Sequence, residues 1–329
     1  MEAILIVNAS VNTDDAGEIR TEALPVYLMP LVDRPFLQHT IERLVDIGAD
    51  RITFVLGPGS DSIRKTFPSG TRWGVKFQFV QVPDDNLLYS VAVKFAGVNS
   101  TTPVLIACAD RLPDIKAASV SVPLEEGKCV LFDTKNETGW TGWALVTGSL
   151  LQSLPATASN EEIEALLRSN SAEGAPELCA TLDASNYSEL LQSQDTALAG
   201  GFPGLISTGR EIKPGIRLSR NAAVNPTAVL TGNVFIGENS RIGAGVQLGP
   251  NVVIGNDCVI EADTVVSNSL VLSGTYLGEG LELKHVIADR AQILSVIHNA
   301  AVVVPDTFIA GSLRTSLFSR LLQRTRGGS

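Results

Sequence analysis

The sequence predicts two parts, an α/β domain with a mostly parallel sheet followed by a parallel β-solenoid. Three observations predict it. The first 200 residues alternate short apolar runs with segments of helical period. From Val224 onward, aliphatic residues recur every six positions. Between the two lies GGFPGLISTGREIKPG (200–215), whose glycines and prolines read as a linker. The expected boundaries are 1–199 for the first domain, 200–220 for the linker, 221–312 for the solenoid and 313–329 for a basic tail.

Ala3 to Val7 is an apolar run suited to a strand covered on both faces. Its lack of a basic leader marks it as a first strand and not as a signal peptide. Pro35 to Gly48 predicts a helix, because Phe36, Leu37, Ile41, Leu44 and Val45 share one face and Gly48 supplies the stop. Strands follow at 51–57, 75–82 and 104–110, with helices at 61–67 and 87–96 between them. In such sheets ligands bind beyond the carboxyl ends of the strands, so Asp110, at the end of VLIACAD, stands out. Residues 159–194 read as mostly helical.

In the solenoid Val224, Leu230, Ile236, Ile242, Leu248, Ile254, Ile260 and Val266 keep a strict step of six. Small or apolar residues such as Val234, Ser240, Val246 and Cys258 follow four positions after the aliphatics. A period of six suits neither a helix nor a lone strand, but it suits short strands joined at tight corners. Gly237, Gly243, Gly249 and Gly255 are expected to supply unusual backbone angles at those corners. After Val266 the frame slips by one residue and continues as Val271, Leu277 and Leu283, a one-residue deletion at a corner. Val302 to Val304 and Ile309 suggest an irregular last coil or cap.

Composition narrows the function. The 329 residues carry a net charge of −10, which argues against nucleic acid as the main partner. No apolar run reaches the roughly 18–20 residues that span a bilayer, so no integral membrane segment is expected. Four scattered cysteines, Cys108, Cys129, Cys179 and Cys258, form no metal-binding spacing and suit a reduced, cytoplasmic protein. Three histidines leave little room for His-based chemistry.

The first 200 residues resemble the sugar-1-phosphate nucleotidyltransferases, or NDP-sugar pyrophosphorylases. LPVYLMPLVDRPFLQHTIERLVDIGADRITFVLG is similar to that family's stretch of the type P-K-x-L-L-P-V-x-x-x-P-L-L. RWGVKFQFVQVP is similar to its W-G-V-x-I-x-Y-V-x-Q-x-P element, and VLIACAD to the strand that ends in G-D. TGWALVTGSLLQSL resembles the N-A-G-x-Y-x-F segment, and LDASNYSELLQSQDTAL the D-x-G-T-P-E-D-Y element. The hexads resemble the left-handed parallel β-helix of hexapeptide-repeat proteins. The family order is the same, a Rossmann-like nucleotidyltransferase domain with a mixed, mostly parallel sheet, a linker and a left-handed β-helix. The hand of the helix is implied by the resemblance alone.

That resemblance implies transfer of a nucleotidyl group to a sugar-1-phosphate, with Mg²⁺ held by Asp110 and Asp183 as catalytic and metal residues. A lone Asp at a strand end also caps turns. Arg20, Gln81, Lys135 and Gly142 are the implied contacts to the nucleotide or nucleotide sugar, with Asn136 and Trp143 beside them. Several features depart from the pattern. The family's glycine-rich phosphate loop corresponds to NASVNTDDAGEIRTEA (8–23), which has a single glycine, Gly17, with three acids near it, Asp14, Asp15 and Glu18. The family lysine maps to Val26, and the P-x-G-T-A element near the base becomes PDDNL, with Asp85 in place of a glycine.

Other residues carry alternatives. His285 and His298 lie where hexapeptide acyltransferases keep a catalytic His, or are ordinary surface residues. Trp140 and Trp143 stack on a ligand or pack in the core. In the tail, LRTSLFSRLLQRTR places Leu313, Leu317, Phe318, Leu321 and Leu322 on one helical face and arginines elsewhere. This pattern suits docking within the protein, a protein partner or a membrane surface. The readings are then a degenerate relative of nucleotide-sugar or polysaccharide biosynthesis that binds a nucleotide sugar or regulates an enzyme, an active Mg²⁺-dependent transferase such as a mannose-1-phosphate guanylyltransferase, or a hexapeptide acyltransferase. Bare solenoid faces make a homo-oligomer the expected assembly.

Overall fold

The fold is described from a computed structural model, over residues 1–8, 24–97, 102–135, 139–155, 158–172 and 177–313. The chain forms two compact units. Phe36–Asn186 makes up most of the first, and the second contains Met29–Pro35 and residues 187–313.

The first unit is built on a seven-stranded sheet. In chain order its parts are β1 (Glu2–Val7), α1 (Phe36–Asp46), β2 (Arg51–Leu56), β3 (Lys76–Gln81), α2 (Leu88–Gly97) and β4 (Val104–Cys108). There follow β5 (Arg111–Pro113), β6 (Cys129–Thr134), β7 (Trp140–Val146), α3 (Asn160–Ser169), β8 (Glu177–Cys179) and β9 (Thr181–Asp183). The strand order is β8-β6-β7-β4-β1-β2-β3, and β7 alone runs against the rest. Ile4, Ile6, Leu5 and Val7 are all buried, because the sheet has an apolar cluster on each face. Helix α1 buries Phe36, Leu37, Ile41 and Leu44 as its period demands. Helix α3 begins with a capping box, in which Ser159 and Glu162 satisfy each other's backbone N–H groups. Arg168 on the same helix grips the buried Asp133 carboxylate of β6 through two nitrogens, at 3.1 and 3.3 Å. The stretch expected to be mostly helical also holds β8 and β9. Strand β9 lies antiparallel to β5 and forms a small second sheet.

The second unit is a three-sided parallel β-helix. Residues pair at a spacing of 18, as in Val224↔Ile242, Leu230↔Leu248 and Ile236↔Ile254. Each coil thus takes three hexads. Past Val266 the spacing falls to 17, as in Ile254↔Val271 and Val266↔Leu283, so the slip seen in the sequence is a shortened corner. Ile236, Ile254, Val271 and Ala288 stack in one interior column, and Ile242, Ile260 and Leu277 in another. The first rung begins earlier than the hexads suggest. Arg210–Lys213 and Ile216–Leu218, inside the stretch expected as a linker, form a hairpin, and Ile216 pairs with Val234.

The corners correct one expectation. Gly237, Gly243 and Gly255 do not adopt the left-handed conformation. Their missing Cβ is needed for a different reason. At Gly237 a Cβ would lie 2.5 Å from the carbonyl carbon of Gly255 one coil on, and at Gly255 it would lie 2.6 Å from the amide nitrogen of Ser273. Positive φ falls instead mainly on a separate set, stacked along the corners. Asn221, Asn239, Asp257 and Gly274 form one column, Asn251, Asn268 and His285 a second, and Gly245, Asp263 and Gly280 a third. Asn and Asp tolerate this conformation better than other side chains. Here they also bond along the column, Asn221 to Asn239 at 3.2 Å and Asn239 to Asp257 at 3.0 Å. Gly249 is the one glycine of the expected four with positive φ.

One face of the β-helix is apolar on its outside as well. Phe235, Val253, Leu270 and Ile287 point away from the interior columns, yet each is at most 2 % exposed. Helix α4 (Tyr187–Leu198) belongs to this unit, and its Asp195 lies beside Asn251 and His285. The Met29–Pro35 hairpin joins it there, with the Val32 amide donating to Gln194 Oε1 at 3.3 Å. At the far end the chain reverses. Val286–Asp289, Gln292–Ser295 and Ala300–Val303 form an antiparallel meander, and Ala310–Ser312 pairs antiparallel with Thr275–Leu277. This is the irregular ending the sequence predicts.

Candidate functional site

Strand direction sets the site. Strands β1, β2, β3, β4 and β6 all end at one edge of the sheet, and the antiparallel β7 begins there. Cys108 ends β4, and the Ala109 amide donates to the Ile6 carbonyl, which holds the following turn against the sheet. Asp110 comes next. The short β5–β9 ladder then brings a distant part of the chain to it. Asp183 is the register partner of Arg111, and the Ala184 amide donates to the Asp110 carbonyl at 2.7 Å. Two carboxylates 73 residues apart in sequence are therefore neighbours.

Their environments differ. Asp183 Oδ1 accepts from the Ser185 amide at 2.7 Å, and its Oδ2 lies 3.3 Å from Arg111 Nε. Asp110 Oδ1 is buried and accepts no hydrogen bond from the described residues. Burial raises the Asp110 pKa above the ordinary carboxylate range; Cys108 and Arg111 pull it down, and Asp183 adds to the rise. Burial works against the Arg111 charge, but Asp183 and Asp110 outweigh it and raise its pKa. The Cys108 thiol and the Tyr89 phenol are both pushed up by burial, so both stay protonated near neutral pH.

A tight wall backs this pair. The Trp143 indole donates to the carbonyls of Cys108 and Arg111, at 3.1 and 3.0 Å, and Arg111 Nη1 donates to the Trp140 carbonyl at 2.6 Å. The Trp140 indole donates to the Trp143 carbonyl, and its ring lies 5.4 Å from Tyr89. Both tryptophans are buried core residues. Gly142 sits in the wall with φ +78, and a Cβ there would lie 2.6 Å from Cys108 Cβ and 3.0 Å from the Tyr89 hydroxyl. Tyr89 comes from α2, and nothing in the sequence pattern marks it as part of this site. Arg111 carries only the signal of following Asp110.

Further along the same edge is a second polar cluster. The Gly57 carbonyl accepts from Ser60 Oγ at 2.7 Å and from Gln81 Nε2 at 2.8 Å. The Asp85 carboxylate folds over Gly57, where a Cβ would overlap its Oδ1. The Tyr27 hydroxyl is buried beside Ser60 and Asp85, and burial, with Asp85 adding, raises its pKa to about 12. Val26, where the resemblance has a lysine, is a buried core residue. Lys135 follows β6 and is exposed, and its amide donates to the Cys179 carbonyl at 3.0 Å. Arg20, Asn136 and the loop 9–23 lie outside the described residues, as does the tail beyond Leu313.

Among the described residues no group of three or more His, Cys, Asp and Glu is placed to hold a metal. The Asp110–Asp183 pair fits a weaker requirement. Mg²⁺ keeps waters and takes substrate oxygens, so two carboxylates, one with a buried bare oxygen, meet the protein's share. His285 is an exposed corner residue, and His298 is exposed on the terminal meander. The four cysteines form no disulfide, and no helix among the described residues is long and apolar enough to cross a membrane.

Residues 230–313 match the family model described as the GMPPB C-terminal domain. No curated protein matches the chain. Among solved structures, HddC from Yersinia pseudotuberculosis is 14% identical, with a TM-score of 0.45, covering 60% of this chain and 100% of its own. A putative glucose-1-phosphate thymidylyltransferase from Bacillus anthracis, solved in complex with a sucrose, is 14% identical, with a TM-score of 0.47. It covers 64% of this chain and 97% of its own. The resemblance to sugar-1-phosphate nucleotidyltransferases carrying a C-terminal β-helix is borne out, with the family match falling on the β-helix.

Proposed function

We propose that this chain is a nucleotidyltransferase-like protein of cytoplasmic nucleotide-sugar or polysaccharide metabolism that binds a nucleotide sugar, or regulates an enzyme that makes one, without synthesising it. The observation that carries this reading is the Asp85 carboxylate folded over Gly57 at the edge where the resemblance implies the base. A charged side chain there takes the space that the family's glycine leaves open for the base. Val26 adds to the case, since a buried valine offers no charge-assisted bond to a phosphate.

An active transferase is the second reading, and Asp110 favours it. A buried carboxylate oxygen with no hydrogen bond is costly unless a cation uses it. Asp110 and Asp183 would hold Mg²⁺, and the metal would supply charge neutralisation at phosphate oxygens. Arg111 would keep Asp183 oriented, and Trp143 would fix the turn that carries Asp110.

The test is incubation of the full chain with nucleoside triphosphate, sugar-1-phosphate and Mg²⁺, with pyrophosphate as the readout. The expected result is no release above that of Asp110→Ala, together with a rise in Tm on adding a nucleotide sugar. Release that Asp110→Ala abolishes overturns the proposal in favour of the transferase.

A further inference from the structure

Among the described residues, the terminal meander leaves Ala300–Val303 as the last strand of an eight-stranded sheet. Its inner neighbour is Gln292–Ser295, with Ile293 opposite Val302 and Ser295 opposite Ala300. The Val304 amide donates to the Ala291 carbonyl at 2.7 Å, which fixes the phase of the ladder. In an antiparallel pair, hydrogen-bonded and non-bonded pairs alternate. Val302 and Ala300 therefore turn their backbone groups inward, whereas Ala301 and Val303 aim an N–H and a C=O outward from the sheet edge.

Natural sheets blunt such edges with lysine, proline or a bulge, because an exposed edge pairs with other chains. This edge carries none of them within the strand. From Ala291 to Pro305 no Asp, Glu, Lys or Arg occurs, in a chain of net charge −10. The same stretch leaves Ile297, Val302 and Val303 exposed by 60 % or more. Two acidic chains repel over most of their surfaces, and here they meet without charge. An antiparallel edge is also self-complementary, since a two-fold axis places each strand's outward N–H groups opposite the other's carbonyls.

We infer that Ala300–Val303 is an interface for a second copy of this chain, joined edge to edge so that the two β-helix sheets become continuous. The inference does not depend on the proposed function. Its occupant is set by charge and by the symmetry of the pairing, and the exposed valines supply the apolar contact.

Light scattering on the full chain across a concentration series tests it. The expected mass is twice the 34.8 kDa of one chain. Val303→Pro removes an outward N–H that the chain's own ladder does not use, so the variant keeps its circular dichroism and melting behaviour and runs as a monomer. Val302→Lys, which places like charges across the axis, also gives a monomer. Persistence of the dimer in both variants overturns the proposal, as does a monomeric wild type at tens of micromolar. A wild-type monomer that dimerises once residues 314–329 are removed would assign the edge to the chain's own tail and would likewise refute it.

Discussion

Replacing Asp110 by asparagine should stabilise the first unit while it destroys any cation site there. The amide keeps the shape and still accepts from Cys108, but it removes a buried charge whose Oδ1 has no hydrogen bond from the described residues. The amide still buries a polar atom there, but a neutral one, and a buried charge costs more than a buried neutral group, so a gain of about 2 kcal/mol is expected. For a unit of this size that corresponds to a rise in Tm of roughly 4–8 °C. The gain must depend on pH. Burial raises the Asp110 pKa in the folded state, so its folded form binds the proton more tightly than the unfolded chain does. Its stabilising contribution is complete below the ordinary carboxylate range and is lost as pH rises through the folded value. The variant should therefore gain at pH 8 and show little gain near pH 4, in melts followed without divalent cations. Adding Mg²⁺ should raise the wild-type Tm at pH 8 and leave Asp110→Asn unmoved. A variant that is no more stable than wild type at pH 8, or a gain that is the same at both pH values, would refute the reasoning.

Three further outcomes are expected. Gly237→Ala should cost more than about 2 kcal/mol, because its Cβ meets the next coil's backbone, whereas Asn239→Gly, at φ 58, should change urea stability by less than about 1 kcal/mol. Gly142→Ala combines a left-handed φ with contact on Cys108 and Tyr89, so the urea midpoint of the first unit should fall by the equivalent of about 2–3 kcal/mol. Ile254→Ala, fully buried in the β-helix interior, should lose about 2–5 kcal/mol by the same measurement.

The β-helix was legible because its period repeats, and even the shortened corner after Val266 appears as a slipped frame. The reason for each glycine was not legible. A glycine beside an aliphatic reads the same whether it frees φ or admits a neighbouring backbone, and only the stacked coils distinguish the two. Positive φ accordingly lies at Asn239 and Asp257 and not at Gly237 and Gly255. In the first unit Asp110 was legible as the end of an apolar run. Its pairing with Asp183 came through family resemblance, since the β5–β9 ladder that joins them is three residues long and has no periodic signal. Tyr89 was invisible because helical spacing says which face is buried, not which distant strand end it meets. Asp85 could be marked as a departure from a pattern, but its position over Gly57 depends on how the Asp84 turn folds.

The apolar outer column of Phe235, Val253, Leu270 and Ile287 breaks the equivalence of the three sides of the prism. On the other two sides a strand needs only alternate positions to be oily, and outward residues such as Arg241, Gln247 and Glu282 are exposed, Tyr276 being an exception. Along this side consecutive positions are constrained at once, so a random polar replacement there is harmful whichever way the residue points. A library of single substitutions read for folded yield should therefore show one intolerant stripe running the length of the second unit, with two permissive ones beside it.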